Sequence, residues 1–167
     1  MKSNGSAYVA VVFAVLIAYF TYQWWFNPSR VVKHRLGEIA AALSVPPDES
    51  DIARVARLGQ LRRLLGDDIH ISVGARPEIT SSDMALAVAG AWRPAQGSGD
   101  VHFADVQVFI ESDTAAHAYL SVELTNLDRE SGQSVIDARD ASVDLRKRGG
   151  EWLVTKVESK DPAPLRP

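Results

Sequence analysis

The sequence contains no cysteine and no run of five or more basic residues. The first absence excludes disulfides, thiolate catalysis and cysteine-based zinc or iron–sulfur sites. The second absence, together with a net charge of -3, gives no long-range attraction for a phosphate backbone, so we expect no nucleic-acid partner. A chain of 167 residues has room for one hydrophobic core once a membrane segment is set aside.

Common catalytic and cofactor motifs are also missing. The sequence has no Gly-x-Ser-x-Gly nucleophile turn, no Gly-x-Gly-x-x-Gly motif and no phosphate loop. Histidine is scattered, and no two of the four residues stand at the spacing of metal ligands: His34, His70, His102 and His117. We therefore expect no metal and no cofactor.

Charge is absent from one long stretch near the amino terminus, Ala7 to Phe26. About twenty helical residues cover the roughly 30 Å of a bilayer's hydrocarbon core. Aromatic residues, which favour the headgroup layer, gather at the end of this stretch and a basic residue follows: Tyr19, Tyr22, Trp24, Trp25 and Arg30. The pattern predicts a retained transmembrane helix, with residues 1–28 forming the tail and the span, and membrane lipid as a partner.

Two other interpretations of this stretch fit the sequence less well. A cleaved signal peptide would have a shorter apolar region and a small-x-small cleavage site, and neither is present. A buried helix of a soluble core would need more chain to cover it than the sequence supplies. Small residues at four-residue spacing give the predicted span a narrow face for packing on other membrane protein subunits: Ala10, Ala14 and Ala18.

The remainder of the chain predicts helices followed by strands. Apolar residues at helical spacing indicate helices over 31–43, 48–65 and 84–92, with Gly66 as a left-handed cap and residues 80–83 as an amino-terminal cap. A short strand is expected at 69–73, and alternation predicts four more over 101–110, 116–125, 134–148 and 151–159. The fold class is therefore α+β, with about three helices on a mainly antiparallel sheet over residues 29–160, and a flexible tail over 161–167.

Side-chain alternation predicts the register of the first two long strands. Pairing Ile110 with Ala116 and Val108 with Ala118 places both apolar rows on the core side. The opposite face then carries three aromatic residues and a histidine: Phe103, Phe109, Tyr119 and His117. Exposed aromatic clusters usually mark an interface, so this row is a candidate partner surface, unless another helix or the curved sheet covers it.

The last hairpin predicts a second set of site residues. Gly149 and Gly150 suit a two-residue turn that needs positive φ, and the turn places Leu145 opposite Val154. Counting back in twos along the strand aims Asp137, Arg139 and Ala141 at the interior. An acid and a base are costly there unless they pair with each other or line a wet cavity. Trp92, at the end of the third helix, is expected either in the core or at the rim of such a pocket.

The element order ends in a closing GGEWLVTKVES hairpin and resembles the nuclear transport factor 2-like superfamily, also called SnoaL-like or cystatin-like. The resemblance covers roughly residues 30–160. It implies a strongly curved sheet that wraps its helices into a cone with a pocket. Members of the superfamily include isomerases, dehydratases, cyclases, ligand carriers and non-catalytic assembly domains, so the fold alone does not decide the function.

The resemblance also frames the functional expectation. Isomerase-like members use a pocket carboxylate as a base, a role that would fall to Asp137, but the adjacent Arg139 suits an ion pair better, and no second interior carboxylate or tyrosine is evident. We therefore expect a non-catalytic accessory or assembly subunit of a larger bacterial membrane complex. The alternative is a protein that binds a small apolar ligand, or an isomerase- or cyclase-like enzyme, that uses the cone pocket with Asp137 and Arg139.

Two signals for the orientation in the bacterial inner membrane disagree. The basic residues after the span outnumber the single lysine before it, which favours a cytoplasmic domain. Membrane-anchored relatives in the resembled superfamily commonly place the cone in the periplasm. We expect the periplasmic orientation.

Overall fold

The structure, a computed structural model, describes residues 11–19, 27–92, 98–127 and 134–159. The helices are α1 (described over 11–19), α2 (Pro28–Leu43), α3 (Asp51–Leu64) and α4 (Ser82–Ala91). The strands are β1 (Leu65–Val73), β2 (Gly99–Ser112), β3 (Ala115–Leu127), β4 (Ser134–Arg148) and β5 (Glu151–Ser159). The predicted α+β class is confirmed, with α2, α3 and α4 packed against a five-stranded sheet.

Each helix of the folded domain begins at a polar cap. The side chain of Asn27 accepts a hydrogen bond from the Ser29 amide at 3.1 Å, and Pro28 fills a first-turn position that needs no amide donor. Ser50 caps α3 through the Ala53 amide at 3.2 Å, and Ser81 caps α4 at 3.3 Å, as the hydroxyl-rich residues 80–83 predicted. These caps fix where the helices start.

Helix α1 contains only a part of the predicted span. All nine of its described residues, 11–19, are solvent-exposed, so no element of the domain covers them. Residues 7–10 and 20–26 of the predicted span lie outside the described residues. In the ranges that the structure covers, no helix has both the length and the apolar character of a membrane span.

The sheet has the strand order β1-β5-β4-β3-β2, with β1 parallel to β5 and the other neighbours antiparallel. The predicted hairpin between β4 and β5 is confirmed. Gly149 and Gly150 have φ angles of 59° and 87°, which only glycine adopts without cost, and Leu145 pairs with Val154. The β4–β5 hairpin therefore pairs in the predicted register.

A bulge in β2 changes the side to which its first residues point. The predicted pairs Ile110–Ala116 and Val108–Ala118 are present and Gln107 pairs with Tyr119 in the same register, but Ala104 pairs with Ser121, one residue out of that register. The extra residue is taken up where Asp105 has a φ of 50°, in the left-handed region. The prediction that Phe103 lies on the outer face is therefore wrong: it packs against the hydrophobic core.

The predicted role of Gly66 is also wrong. Helix α3 ends at Leu64 and the next residues enter β1 directly, so Gly66 is a strand residue and not a left-handed cap. A Cβ atom there would lie 3.2 Å from Thr155 Cγ2 and 3.3 Å from the Val154 carbonyl oxygen. The missing side chain thus permits the close approach of β1 to β5.

The hydrophobic core lies between the helices and one face of the sheet. Helix α2 contributes an apolar stripe at three-and-four spacing, and β3, β4 and β5 contribute alternate residues. The largest fully buried side chains are Leu36, Ile69, Leu145 and Val32. Burial of a side chain of this size stabilises the fold by about 1.5–3 kcal/mol.

Candidate functional site

A cavity of about 500 Å³ lies between the sheet and the helices. The sheet residues that line this cavity form rows across the strands, because residues that pair across strands point to the same face. The row nearest one sheet end is Val101, Leu124 and Asp137, the next is Phe103, Val122 and Arg139, and the third contains Ala141, Ser159 and Val73. Residues of α2, α3 and α4 and the Ile79 bridge to β1 form the other side.

The cavity is apolar at its inner end and charged at its outer end. Leu36, Leu61 and Val154 are buried at the inner end. The charged residues among the described lining are Arg76, Asp137 and Arg139, and all three belong to the opposite end. The cavity thus has an apolar interior, and its charged side chains contact water at the mouth.

The sequence-predicted pair at the mouth is formed. Arg139 Nε and Nη2 each lie 3.3 Å from Asp137 Oδ2. Both side chains keep contact with solvent, because 30% of the Arg139 side chain and 51% of the Asp137 side chain are exposed. The pair therefore meets both conditions of the prediction, since its members contact each other and line an open cavity.

Trp92 and Arg76 also line the cavity. Trp92 follows α4 directly and is half-buried in the wall of the same cavity as Asp137 and Arg139. Arg76 was missed by sequence reasoning. It follows Gly74, which has a φ of 54°, in the turn after β1, and the Arg76 amide donates to the Val73 carbonyl at 3.1 Å. The glycine at the strand end is a local signal for the turn, but the position of Arg76 at the rim depends on the pairing of β1 with β5.

The outer face of the sheet carries the other predicted residues. Phe109 and Tyr119 are 52% and 54% exposed, and their rings meet edge to face with centroids 6.1 Å apart. His117 packs against Tyr119 at 4.5 Å, and its Nδ1 contacts a carboxylate oxygen of Asp144. Nε2 of His117 is buried and has no hydrogen-bond partner among the described residues. Phe109, Tyr119 and His117 define what we call the outer aromatic patch.

The remaining candidate residues do not converge on a site. His34, His70 and His102 are exposed on three different elements, and the described ranges contain no group of three or more residues able to hold a metal ion. Tyr19, Ala14 and Ala18 lie in α1, and Arg30 is exposed in α2. The other predicted anchor and packing residues lie outside the described residues: Ala10, Tyr22, Trp24 and Trp25.

Two ion pairs outside the cavity have clear electrostatic effects. Arg57 donates to both carboxylate oxygens of Glu49, at 2.6 and 3.3 Å, and these hydrogen bonds lower the pKa of Glu49 although burial opposes them. Arg148 donates to both oxygens of Asp68, at 2.9 and 2.7 Å, and lowers the pKa of Asp68 while its own pKa is raised. Neither pair is part of the described cavity lining.

Helix α2 lies along the edge strand β2 and fixes where the mouth is relative to the start of the domain. Ser29, in its first turn, has its hydroxyl 3.5 Å from the Val108 carbonyl oxygen. Ser44, just after its last turn, accepts a hydrogen bond from the Val101 amide at 2.9 Å. Because Val101 belongs to the row nearest the mouth, the chain enters the domain at the end of the cone away from the mouth.

Comparisons with known proteins show the fold. No protein-family profile matches the chain, and no curated protein matches it significantly. Among solved structures, the chain is similar to a nuclear transport factor 2-like protein with a cystatin-like fold from Novosphingobium aromaticivorans, with a TM-score of 0.68, 11% identity and coverage of 87% of this chain and 90% of that one. The chain therefore has the nuclear transport factor 2-like, cystatin-like cone fold.

Two further solved structures illustrate the range of proteins with this fold. One is a putative scytalone dehydratase from Novosphingobium aromaticivorans, with a TM-score of 0.62, 14% identity and coverage of 80% and 83% of the two chains. The other is the association domain of C. elegans CaMKII, with a TM-score of 0.56, 15% identity and coverage of 81% and 93%. At these identities the likeness concerns the fold and not the activity.

Proposed function

We propose that this protein is a membrane-anchored binding protein that holds a small, largely apolar molecule inside its cone. The observation that carries the proposal is the cavity of about 500 Å³, which is apolar within and charged at its mouth. Small-molecule sites are typically clefts of about 300–1,000 Å³ with an apolar lining and a few convergent polar groups. A filled cone would have left no room for a ligand.

The lining favours binding over catalysis. Proton transfer needs an ionisable group that is available near neutral pH. The one carboxylate of the described lining, Asp137, is held by Arg139, whose Nη2 lies 3.3 Å from Asp137 Oδ2, so it is engaged in an ion pair and not presented to the cavity as a separate base. The likeness to a putative dehydratase therefore bears on the shape of the pocket and not on the reaction.

The anchor rests on the sequence together with the exposure of α1. Residues 7–26 carry no charge, and the described part, 11–19, is helical with every side chain exposed. A helix that is apolar on all sides is stable when it is surrounded by apolar material, as it is in a bilayer. We place the domain on the periplasmic side of a bacterial inner membrane.

The pocket is tested by filling it. The experiment uses the full chain in lipid nanodiscs, titrated with neutral naphthylethanol in a calorimeter, with empty nanodiscs as the blank. Ala89 lines the cavity, so Ala89→Phe is expected to abolish the binding that the unaltered protein shows. Ala87→Phe adds the same ring to an exposed position of α4 and should leave binding unchanged. Equal binding by both variants, or none by the unaltered protein, would contradict the proposal.

A second candidate function is assembly within a larger membrane complex, and the outer aromatic patch favours it. Two aromatic rings that are more than half exposed on a sheet form a contact surface for a partner subunit in this candidate. The association domain of C. elegans CaMKII has the same fold. In this candidate the span and the patch contact neighbouring subunits, and the cone needs no ligand.

Co-purification from gentle detergent separates this candidate from the first. Tyr119→Ser is expected to release partner subunits, whereas Thr125→Ser, which alters a half-buried residue of the same strand, should retain them. A monodisperse monomer from the unaltered chain would count against assembly and would leave the ligand-binding proposal intact.

A further inference from the structure

We propose that the cavity selects a ligand with a carboxylate at one end, which the arginines at the mouth bind while the apolar body fills the interior. This inference rests on the proposed binding function and adds the chemical class of the ligand. The class is an aryl or alkyl carboxylate small enough for a cavity of about 500 Å³.

The orientation of such a ligand follows from the polarity of the cavity. The inner end is formed by buried apolar side chains, among them Leu36, Leu61 and Ile69. A charged group placed there would lose its hydration without a partner, which costs several kcal/mol. The mouth offers both charged side chains and solvent, so the charged end of a ligand has its lowest free energy there.

The sign of the charge follows from the balance at the mouth. The described lining holds two guanidinium groups, Arg76 and Arg139, against one carboxylate, Asp137. The carboxylate is already within ion-pair distance of Arg139. The side chain of Arg76 makes no ion pair with any other residue of the described ranges. The described part of the lining therefore carries one positive charge in excess, which an anionic ligand would neutralise.

A nearby acid does not cancel this excess. Glu78 is exposed two residues beyond Arg76 and is not part of the lining. Its charge is felt on the outer face, where the pKa of Lys156 is raised mainly by Glu158 and to a smaller extent by Asp144 and Glu78. Glu78 is therefore a solvent-exposed acid outside the lining, where water screens its charge.

The two arginines belong to the same end of the sheet. Val73 pairs with Ser159, which pairs in turn with Ala141, so these residues form one row. Arg139 stands two residues beyond Ala141 along β4, and Arg76 is anchored to Val73 by the turn hydrogen bond of 3.1 Å. A guanidinium group presents paired donors in one plane, which match the two oxygens of a carboxylate.

The opposite assignment, a cationic ligand bound by Asp137, is less favourable. A cation that approached Asp137 would compete with Arg139 and would also meet the charge of Arg76. Repulsion between like charges in a partly enclosed site weakens binding. The same arrangement thus attracts one sign of charge and repels the other.

The experiment compares three probes that share a naphthyl body: naphthylacetate, naphthylethanol and naphthylethylamine. Each is titrated at neutral pH into the full chain in lipid nanodiscs, with empty nanodiscs as the blank. We expect naphthylacetate to bind about tenfold more tightly than naphthylethanol and naphthylethylamine to bind most weakly. The double variant Arg76→Gln and Arg139→Gln should bring the acetate down to the affinity of the alcohol without changing binding of the alcohol.

Arg146→Gln is the matched control, because Arg146 is an exposed arginine of β4 that does not line the cavity. This variant should keep the preference for naphthylacetate. Equal affinity for all three probes would overturn the carboxylate assignment while the binding function stands. Absence of binding by every probe would overturn the binding function itself, so the two failures are distinguishable.

Discussion

Two arginine–carboxylate pairs of this protein use the same chemistry at different depths. Arg57 and Glu49 are sealed between α2 and α3, with 8% and 5% of their side chains exposed, whereas Arg139 and Asp137 are open at the cavity mouth. The sealed arginine also donates to the Ala42 carbonyl at 3.0 Å and so connects the end of α2 to α3. The buried pair therefore stabilises the packing of α2 on α3, whereas the exposed pair is accessible to water and to a ligand.

The largest expected effect is the loss of the sealed arginine. Arg57→Met leaves Glu49 buried without its main partner and the Ala42 carbonyl without a donor, so we expect the free energy of unfolding to fall by about 3–5 kcal/mol. Arg139→Gln, at the open pair, should lower it by less than about 1 kcal/mol, because solvent screens that pair. Urea unfolding of both variants measures the contrast.

A double variant provides the control for this comparison. Removing the charge of Glu49 as well, in Arg57→Met with Glu49→Gln, should recover a large part of the lost stability, because the buried carboxylate charge, which the single variant leaves with Arg54 alone, is then absent. Similar losses at the sealed and the open arginine would show that depth does not govern the two pairs.

A smaller effect is expected in the pH dependence of stability. Arg57, and to a lesser degree Arg54, lowers the pKa of Glu49 in the folded state, below the value of about 4.3 of an unfolded glutamate. The folded state therefore gains stability from Glu49 above the unfolded pKa and loses it as the pH falls through the folded pKa. The free energy of unfolding should decrease on acidification below about pH 5.

Glutamine at position 49 tests the source of this dependence. Glu49→Gln should flatten the acid slope of the urea midpoint, and Asp68→Asn should flatten it less, because the Asp68 pair is exposed although the pKa of Asp68 is lowered too. If the slope of Glu49→Gln matched that of the unaltered protein, Glu49 would not be a source of the acid sensitivity.

The order and type of the elements could be predicted from the sequence because the apolar spacing is regular. Residues 31–43 show the stripe of a helix, and the closing hairpin has two glycines at the positions that need positive φ. The bulge at Asp105 could not be predicted, since alternation continues on both sides of it and no glycine marks it. One extra residue was enough to move Phe103 from the outer face to the cavity.

The charged pair of the candidate site was predictable along one strand, and Trp92 was predictable from the end of α4. Asp137 and Arg139 follow from counting in twos from the hairpin, because β4 keeps an unbroken pairing with β3 over this stretch. Arg76 comes from a loop whose path depends on the pairing of β1 with β5, and parallel pairing brings together residues far apart in sequence. Local patterns contain no information about such a contact.

The direction of α2 has a consequence for how cargo would travel. Its sixteen residues, at 1.5 Å each, separate the point of chain entry from the cavity opening by about 24 Å. If residues 7–26 anchor the protein in a bilayer, the cavity opens on the side of the domain away from this anchor. A molecule would then be loaded or handed over in the aqueous compartment, or to a neighbour standing off the membrane, and not drawn straight from the leaflet beneath.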